Sequence, residues 1–158
     1  MIGIFASMLL IVGVDQLTKF FVIKFLSASP DISIIDKILS FGYVENRGAA
    51  FGVLRDSRWL FVAVTVLAVG FIIWYVITKK PKNKLLCTSI ALIGGGALGN
   101  FIDRLFFGRV IDFIKFSFFD FPYFNLADTC LSIGVVLLAI YIFTFDNKGE
   151  ENGGKLNN

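Results

Sequence analysis

The sequence predicts an all-α membrane protein, with four transmembrane helices and a small extracytoplasmic β-sheet and loop. Its 158 residues are 56% apolar and include 19 phenylalanines, and the mean hydropathy of +0.79 is high for a soluble domain. A helix needs about 20 mostly apolar residues to span a membrane. Stretches of that length occupy residues 2–26, 59–78, 85–107 and 125–145. We therefore expect residues 1–146 to form a single transmembrane domain and residues 147–158 a flexible cytoplasmic tail.

The first apolar stretch has some features of a cleaved secretion signal. Small residues at Ser27 and Ser29 resemble those that precede a cleavage site. However, the first fourteen residues contain no lysine or arginine, which a signal peptide carries near its start. Polar residues also interrupt the apolar run, at Asp15, Gln16, Lys19 and Lys24. We therefore predict an uncleaved first helix.

The short link between the second and third stretches sets the predicted orientation. Four of the six residues at 79–84 are lysines, which is typical of a cytoplasmic loop. Both termini would then be cytoplasmic, and the segments 27–58 and 104–124 would lie on the outer side. Eight further basic residues fall on that outer side, so the prediction rests on the density of the lysine link. Within 27–44, imperfect alternation of apolar and polar residues indicates a hairpin or small sheet on the membrane surface.

The composition removes several classes of chemistry. The chain has no histidine and two cysteines, so it cannot form a Cys-His or Ser-His pair and lacks the ligands of a usual zinc site. Cys87 and Cys130 lie in apolar stretches, and we expect both to be buried free thiols.

Two aspartates, Asp112 and Asp128, lie next to long apolar runs. A charged carboxylate deep in a bilayer costs about 3 kcal/mol on insertion scales, so it is retained when it is paired or used. The apolar neighbours of Asp112 would raise its pKa and keep it protonated. Asp128 also fits the first turn of a helix capped by Asn125, where the helix N-terminus stabilises negative charge. The two interpretations are compatible, because an ionised Asp128 beside a protonated Asp112 could activate water for attack on an amide.

Other polar residues have local structural explanations. Asp103 directly precedes Arg104, so we interpret it as half of an ion pair that orients a helix end, ahead of a catalytic role. Asp15 and Lys19 are four residues apart and would neutralise each other across one helical turn. Binding of a substrate head group is the alternative for that pair. Asn100 lies three residues before Asp103, so both would share one helix face.

The glycines of the third stretch have two possible explanations. Gly94, Gly96 and Gly99 have the G-x-G-x-x-G spacing of a dinucleotide-binding turn. No strand precedes them and the surroundings are apolar, so close helix packing, with Gly95 and Gly99 as a GxxxG pair, is the better interpretation. The small residues of segment 46–52 suit a tight turn, or a surface that a peptide backbone approaches closely.

Five short motifs, in this order along the chain, resemble the signal peptidase II (lipoprotein signal peptidase) family. They are DQLTK at 15–19, NRGAAFG at 46–52, GGALGNFIDR at 95–104, VIDF at 110–113 and FNLAD at 124–128. Each motif is weak alone, but together they run from the first helix to the fourth.

The resemblance implies an aspartic endopeptidase of the bacterial plasma membrane with its active site at the outer face. Such an enzyme removes the signal peptide of a prolipoprotein by cleaving before a diacylglyceryl-modified cysteine. Residues 1–146 would be the peptidase domain, acting as a monomer in contact with membrane lipid. We expect no cofactor, no metal and no nucleic-acid partner.

The resemblance also implies roles for individual residues. Asp112 and Asp128 match the catalytic pair. Positions for substrate binding or support of the site are matched by Asp15, Lys19, Asn46, Gly48, Asn100, Asp103, Arg104 and Asn125. The separation of sixteen residues between the two catalytic positions indicates a short connecting loop.

Two other functions are compatible with intramembrane carboxylates. A transporter or channel would use Asp15, Asp103 and the Asp112–Asp128 pair to relay protons or bind cations. A scaffold would use the glycine-rich helix to recruit partners. Four helices are few for a transporter, and the polar residues gather at one membrane face instead of crossing the bilayer. Substitution of Asp112 or Asp128 by asparagine would abolish peptidase activity but would be tolerated by a scaffold.

Overall fold

The computed structural model describes residues 1–48, 54–118 and 121–146, and this part of the chain contains four long apolar helices. They are α1 (Ile2–Leu26), α2 (Arg58–Lys79), α3 (Lys84–Phe107) and α4 (Leu126–Tyr141). A π-helical turn, Ile142–Asp146, continues α4. Each of the four is long and apolar enough to cross a membrane, which confirms the predicted spans to within about one residue at most ends. The tail 147–158 lies outside the described residues.

Helix α3 lies at the centre of the bundle, with α1 and α4 packed closely on it. A methyl group added at Gly95 would lie 2.8 Å from Cβ of Ile11 on α1, and one added at Gly96 would lie 2.5 Å from the backbone oxygen of Ala127 on α4. The glycines therefore allow two neighbouring helices to approach one helix from different sides, as predicted from the GxxxG pattern.

A three-stranded antiparallel sheet covers one end of the bundle. Its strands are β1 (Ile32–Ile35), β2 (Leu39–Asn46) and β3 (Val110–Phe116), in the order β1-β2-β3. The hairpin of β1 and β2 agrees with the alternation in 27–44. Strand β3 was not predicted, because its first four residues are all buried and a strand covered on both faces shows no alternation.

Two apolar clusters lie at opposite ends of α1. One joins the start of α1 to the end of α2 and the start of α3 and includes Ile4, Val76 and Ile90. The other joins the end of α1 to β3 through Val22 and Ile111. Buried polar side chains lie between these two clusters: Asp15, Lys19, Asn100, Asp103, Asp112 and Asn125.

Candidate active site

The two aspartates singled out in the sequence line one cavity. Asp112 lies in the middle of β3 and Asp128 in the first turn of α4. The cavity has a volume of about 700 Å³ and is bounded by α2, α3, α4 and β3. The carboxylates therefore meet at the end of the bundle that carries the sheet.

Asp112 is held by two amide side chains. Its Oδ1 accepts a hydrogen bond from Nδ2 of Asn125 at 2.6 Å, and its Oδ2 accepts one from Nδ2 of Asn46 at 2.8 Å. Only 1% of the residue is exposed. Burial raises the pKa of Asp112 to about 6, and the negative charge of Asp128 adds to this effect, while the two amide hydrogen bonds oppose it. The carboxyl thus has a much higher proton affinity than an exposed aspartate.

Asp128 is held at the start of α4 by a reciprocal cap. The Asn125 side chain accepts from the backbone N–H of Asp128 at 2.9 Å, and the Asp128 carboxylate accepts from the backbone N–H of Asn125 at 3.2 Å. This arrangement is a capping box, so the predicted helix start is confirmed. The other carboxylate oxygen of Asp128 accepts from Nδ2 of Asn100 at 2.7 Å.

The buried ammonium of Lys19, on α1, binds three side chains that support the two aspartates. Nζ of Lys19 lies 2.8 Å from Asp15, which confirms the predicted pair, and 2.9 Å from Asp103. It also donates to Oδ1 of Asn100 at 3.0 Å. The prediction that Asp103 pairs with Arg104 is wrong, because consecutive residues on a helix point in different directions. Asp103 points towards α1, and Arg104 points into the cavity.

The supporting carboxylates also tie neighbouring elements together. Asp15 accepts from the backbone N–H of Ala127 at 3.0 Å, and Asp103 accepts from the backbone N–H of Ile111 at 3.3 Å. These bonds join α1 to the start of α4, and α3 to β3. Lys19, Asp15 and Asp103 form what we call the Lys19 cluster. This cluster binds the backbone N–H of the residue that directly precedes each of the two aspartates, Asp112 and Asp128.

Arg104 lines the cavity beside the two aspartates. Its guanidinium donates to the backbone oxygen of Gly48 at 3.1 Å and lies 4.6 Å from the ring centre of Phe61. The backbone N–H of Gly48 in turn donates to Oδ1 of Asn46 at 2.9 Å. Asn46 thus holds Gly48 with its amide oxygen and Asp112 with its amide nitrogen. The rest of that motif, residues 49–52, lies outside the described residues.

Three residues of the site were missed by sequence reasoning. Gln16 donates to Asp103 at 2.9 Å, and a polar residue inside an apolar span was the signal for it. Phe61 underlies Arg104 but does not stand out among nineteen phenylalanines. Tyr123 lines the cavity, and its hydroxyl donates to Asp31 at the base of the hairpin. No local pattern in the sequence relates Tyr123 to Asp31, because the two residues are far apart along the chain and only the fold brings them together.

In the described part of the chain, no three aspartate, glutamate or cysteine side chains converge in a way that could hold a metal ion. Cys87 and Cys130 are free thiols, as predicted, and Cys130 is buried. The prediction of burial is wrong for Cys87, which is half-buried near the start of α3.

The fold and the site define a multi-pass membrane protein in which a buried carboxyl, Asp112, and a half-buried one, Asp128, line one cavity at one end of the helices. Residues 7–144 match the family model described as signal peptidase (SPase) II. The chain belongs to the signal peptidase II family.

Curated relatives and solved structures agree with this assignment. A lipoprotein signal peptidase of Symbiobacterium thermophilum is 45% identical over 140 residues, covering 87% of this chain and 92% of the relative. One of Streptococcus pyogenes serotype M6 is 40% identical over 144 residues, covering 91% and 95%. A bacterial membrane enzyme solved by the in meso method at 2.3 Å resolution has a TM-score of 0.84 and 30% identity, covering 99% of this chain and 93% of that one. A second such enzyme, at 1.9 Å, has a TM-score of 0.81, 32% identity, and coverage of 90% and 94%.

Proposed function

We propose that this protein is an aspartic endopeptidase that removes the signal peptide from prolipoproteins by cleaving before the diacylglyceryl-modified cysteine. Membership of the signal peptidase II family supports the removal of signal peptides from prolipoproteins. The aspartic mechanism rests on one observation, the meeting of Asp112 and Asp128 in a single cavity where each is held by a separate amide donor.

The environments of the two carboxylates suit different protonation states. Asp128 lies at a helix N-terminus and accepts from Asn100 and from a backbone N–H, both of which stabilise a negative charge. Asp112 is buried and has its pKa raised to about 6. We therefore expect the pair to share one proton, with Asp112 protonated and Asp128 ionised.

The chemistry follows from that arrangement. Asp128 takes a proton from a water molecule, whose oxygen attacks the carbonyl carbon of the scissile peptide, while Asp112 gives its proton to the carbonyl oxygen. When the tetrahedral intermediate collapses, the C–N bond breaks, the leaving nitrogen receives the proton held by Asp128, and the hydroxyl proton returns to Asp112.

The shape of the cavity suits an apolar helical substrate. Its walls are formed by side chains of α2 and α4 such as Val64, Ala68 and Leu131, and its polar end by Asn46, Arg104 and the two aspartates. A signal-peptide helix lying between α2 and α4 would present its scissile bond at the polar end. The remaining candidates, Asn46, Gly48, Asn100, Arg104 and Asn125, would then bind the substrate or hold the pair.

The arrangement of chain ends supports the proposed membrane orientation. Four helix ends lie at the end of the bundle that holds the sheet and the carboxylates: Leu26, Arg58, Phe107 and Leu126. The lysine link at 79–84 lies at the opposite end. With that link in the cytoplasm, both termini are cytoplasmic and the active site faces outward from a bacterial plasma membrane. We further propose that residues 1–146 form one peptidase domain that acts as a monomer in contact with membrane lipid.

Cleavage of a diacylglyceryl-modified prolipoprotein by the purified, lipid-reconstituted protein tests the proposal. Asp112→Asn and Asp128→Asn should each abolish cleavage while the variants remain folded. Asp36→Asn is the matched control, because Asp36 is exposed in the turn between β1 and β2, and it should cleave at the wild-type rate. Substrate without the diacylglyceryl group should not be cut. Full cleavage by either site variant would refute the aspartic mechanism.

A further inference from the structure

We infer that Lys19 is a positioning residue for the catalytic pair, acting by holding the side-chain amide of Asn100 in one orientation. The inference rests on the proposed aspartic mechanism and extends it to a residue that lies outside the cavity.

All three N–H groups of Lys19 are used. Only 2% of the residue is exposed, and Nζ has acceptors at 2.8 Å on Asp15, 2.9 Å on Asp103 and 3.0 Å on Asn100. An ammonium donates three hydrogen bonds and accepts none. The atom of Asn100 that faces Lys19 must therefore be the amide oxygen.

The orientation of Asn100 determines what Asp128 receives. With the oxygen towards Lys19, the amide nitrogen faces Asp128 and donates to it at 2.7 Å. An amide oxygen and nitrogen are almost identical in shape, so an Asn100 released from Lys19 could turn over. Its oxygen would then lie against a carboxylate oxygen, and Asp128 would lose a donor.

The same contact directs the hydrogen bonds of Asp112. The oxygen of Asn100 accepts a second hydrogen bond, from Nδ2 of Asn125 at 3.1 Å, and that nitrogen donates to Asp112 at 2.6 Å. Lys19 therefore fixes the donor and acceptor ends of Asn100, and through that oxygen it supports the orientation of Asn125, one of the two amides that hold Asp112. Charge neutralisation alone does not account for this geometry, since Asp15 and Asp103 already provide two carboxylates for one ammonium.

The variant Lys19→Met by itself would leave Asp15 and Asp103 buried without a counter-charge, which is strongly destabilising. The double variant Lys19→Met/Asp103→Asn keeps the net charge of the cluster unchanged and removes the donor to Asn100. Asn100→Ala removes the link and leaves the Lys19 cluster in place. Lys24→Met is the control, because Lys24 is an exposed lysine on the same helix.

The decisive measurement is the pH dependence of prolipoprotein cleavage by the reconstituted full-length protein. The charged groups that act on the pair are Lys19 on α1 and Arg104 on α3, besides the two aspartates themselves, and Asp15 and Asp103 lie behind them as the partners of Lys19. Loss of an N–H donor disfavours an ionised carboxylate, so the acidic limb of the profile should move up by about one pH unit in both the double variant and Asn100→Ala. Loss of orientation should lower kcat about tenfold or more. Lys24→Met should match the wild type.

A purely structural role for Lys19 predicts a different result. It would lower the amount of folded enzyme without moving the acidic limb. An unmoved limb in Asn100→Ala would overturn the inference whether or not the double variant folds. Cleavage by Asp112→Asn would instead mean that the aspartic mechanism itself is wrong, so the two failures can be told apart.

Discussion

The packing of α4 on α3 leaves no room for a side chain at Gly96, so Gly96→Ala tests how far the site depends on that contact. The added methyl would lie 2.5 Å from the backbone oxygen of Ala127 and 3.1 Å from the backbone nitrogen of Leu131. A carbon and a carbonyl oxygen normally lie at least about 3.3 Å apart, so the helices must separate by roughly 0.8 Å. Backbone atoms cannot turn away as a side chain can, and overpacking of this kind costs about 1–3 kcal/mol.

The same displacement reaches the proposed catalytic pair, because Ala127 directly precedes Asp128. A misplacement of about 1 Å at a reacting group can lower the rate on the order of 100-fold. We therefore expect Gly96→Ala to lose most of its prolipoprotein cleavage. Its thermal unfolding midpoint in detergent should also fall by roughly 2–10 °C.

Gly70→Ala is the matched control for this experiment. Gly70 lies in α2, and apart from its two chain neighbours and the adjacent backbone of its own helix, no atom of the described residues lies within 4 Å of a methyl added there. This variant should keep its activity and gain up to about 1 kcal/mol, because alanine favours the helix more than glycine does. If Gly96→Ala unfolds at the same temperature and cleaves at the same rate as Gly70→Ala, the argument from helix packing is wrong.

Three further predictions concern the cavity. The pKa of Asp112 is raised to about 6, so the proton that the proposed pair would share is held below that pH and lost above it. In lipid vesicles kcat/KM should therefore fall as pH rises through 6, and a flat profile between pH 5 and 8 would count against the proposed dyad. Arg104→Met removes the hydrogen bond to Gly48 and a positive charge beside the pair. Steady-state kinetics should show the rate of cleavage reduced about tenfold or more. A wild-type rate would exclude a role for the guanidinium. Tyr123→Phe keeps the ring in the cavity but removes the bond to Asp31. KM should therefore rise while kcat changes less than about twofold, and a loss confined to kcat would contradict a role in substrate access.

Local features of the chain were sufficient to predict the elements of the fold. Each helix follows from an apolar stretch long enough to span a bilayer, and the start of α4 follows from Asn125 and Asp128, whose capping interactions involve residues only three apart. The hairpin of β1 and β2 followed from alternation. Strand β3 could not be predicted in this way, because its first four residues are all buried and so show no alternation. Ile111 and Phe113 pack on α1, while Asp112 is bonded to Asn125 at the start of α4.

The chemistry of the site was similarly divided between sequence and structure. Apolar neighbours and the absence of histidine were enough to single out Asp112 and Asp128 as candidates. Which residues hold them was decided only by the packing of α1, α3, α4 and β3, which brings Lys19 to Asp103 and Asn100 across more than eighty positions of sequence. The sequence by itself therefore determined the spanning helices and the candidate acids, since these depend on residues close together along the chain. Tertiary structure alone decided the partners of each charge, because burial forces every ammonium and carboxylate to be satisfied by whichever group the neighbouring element presents.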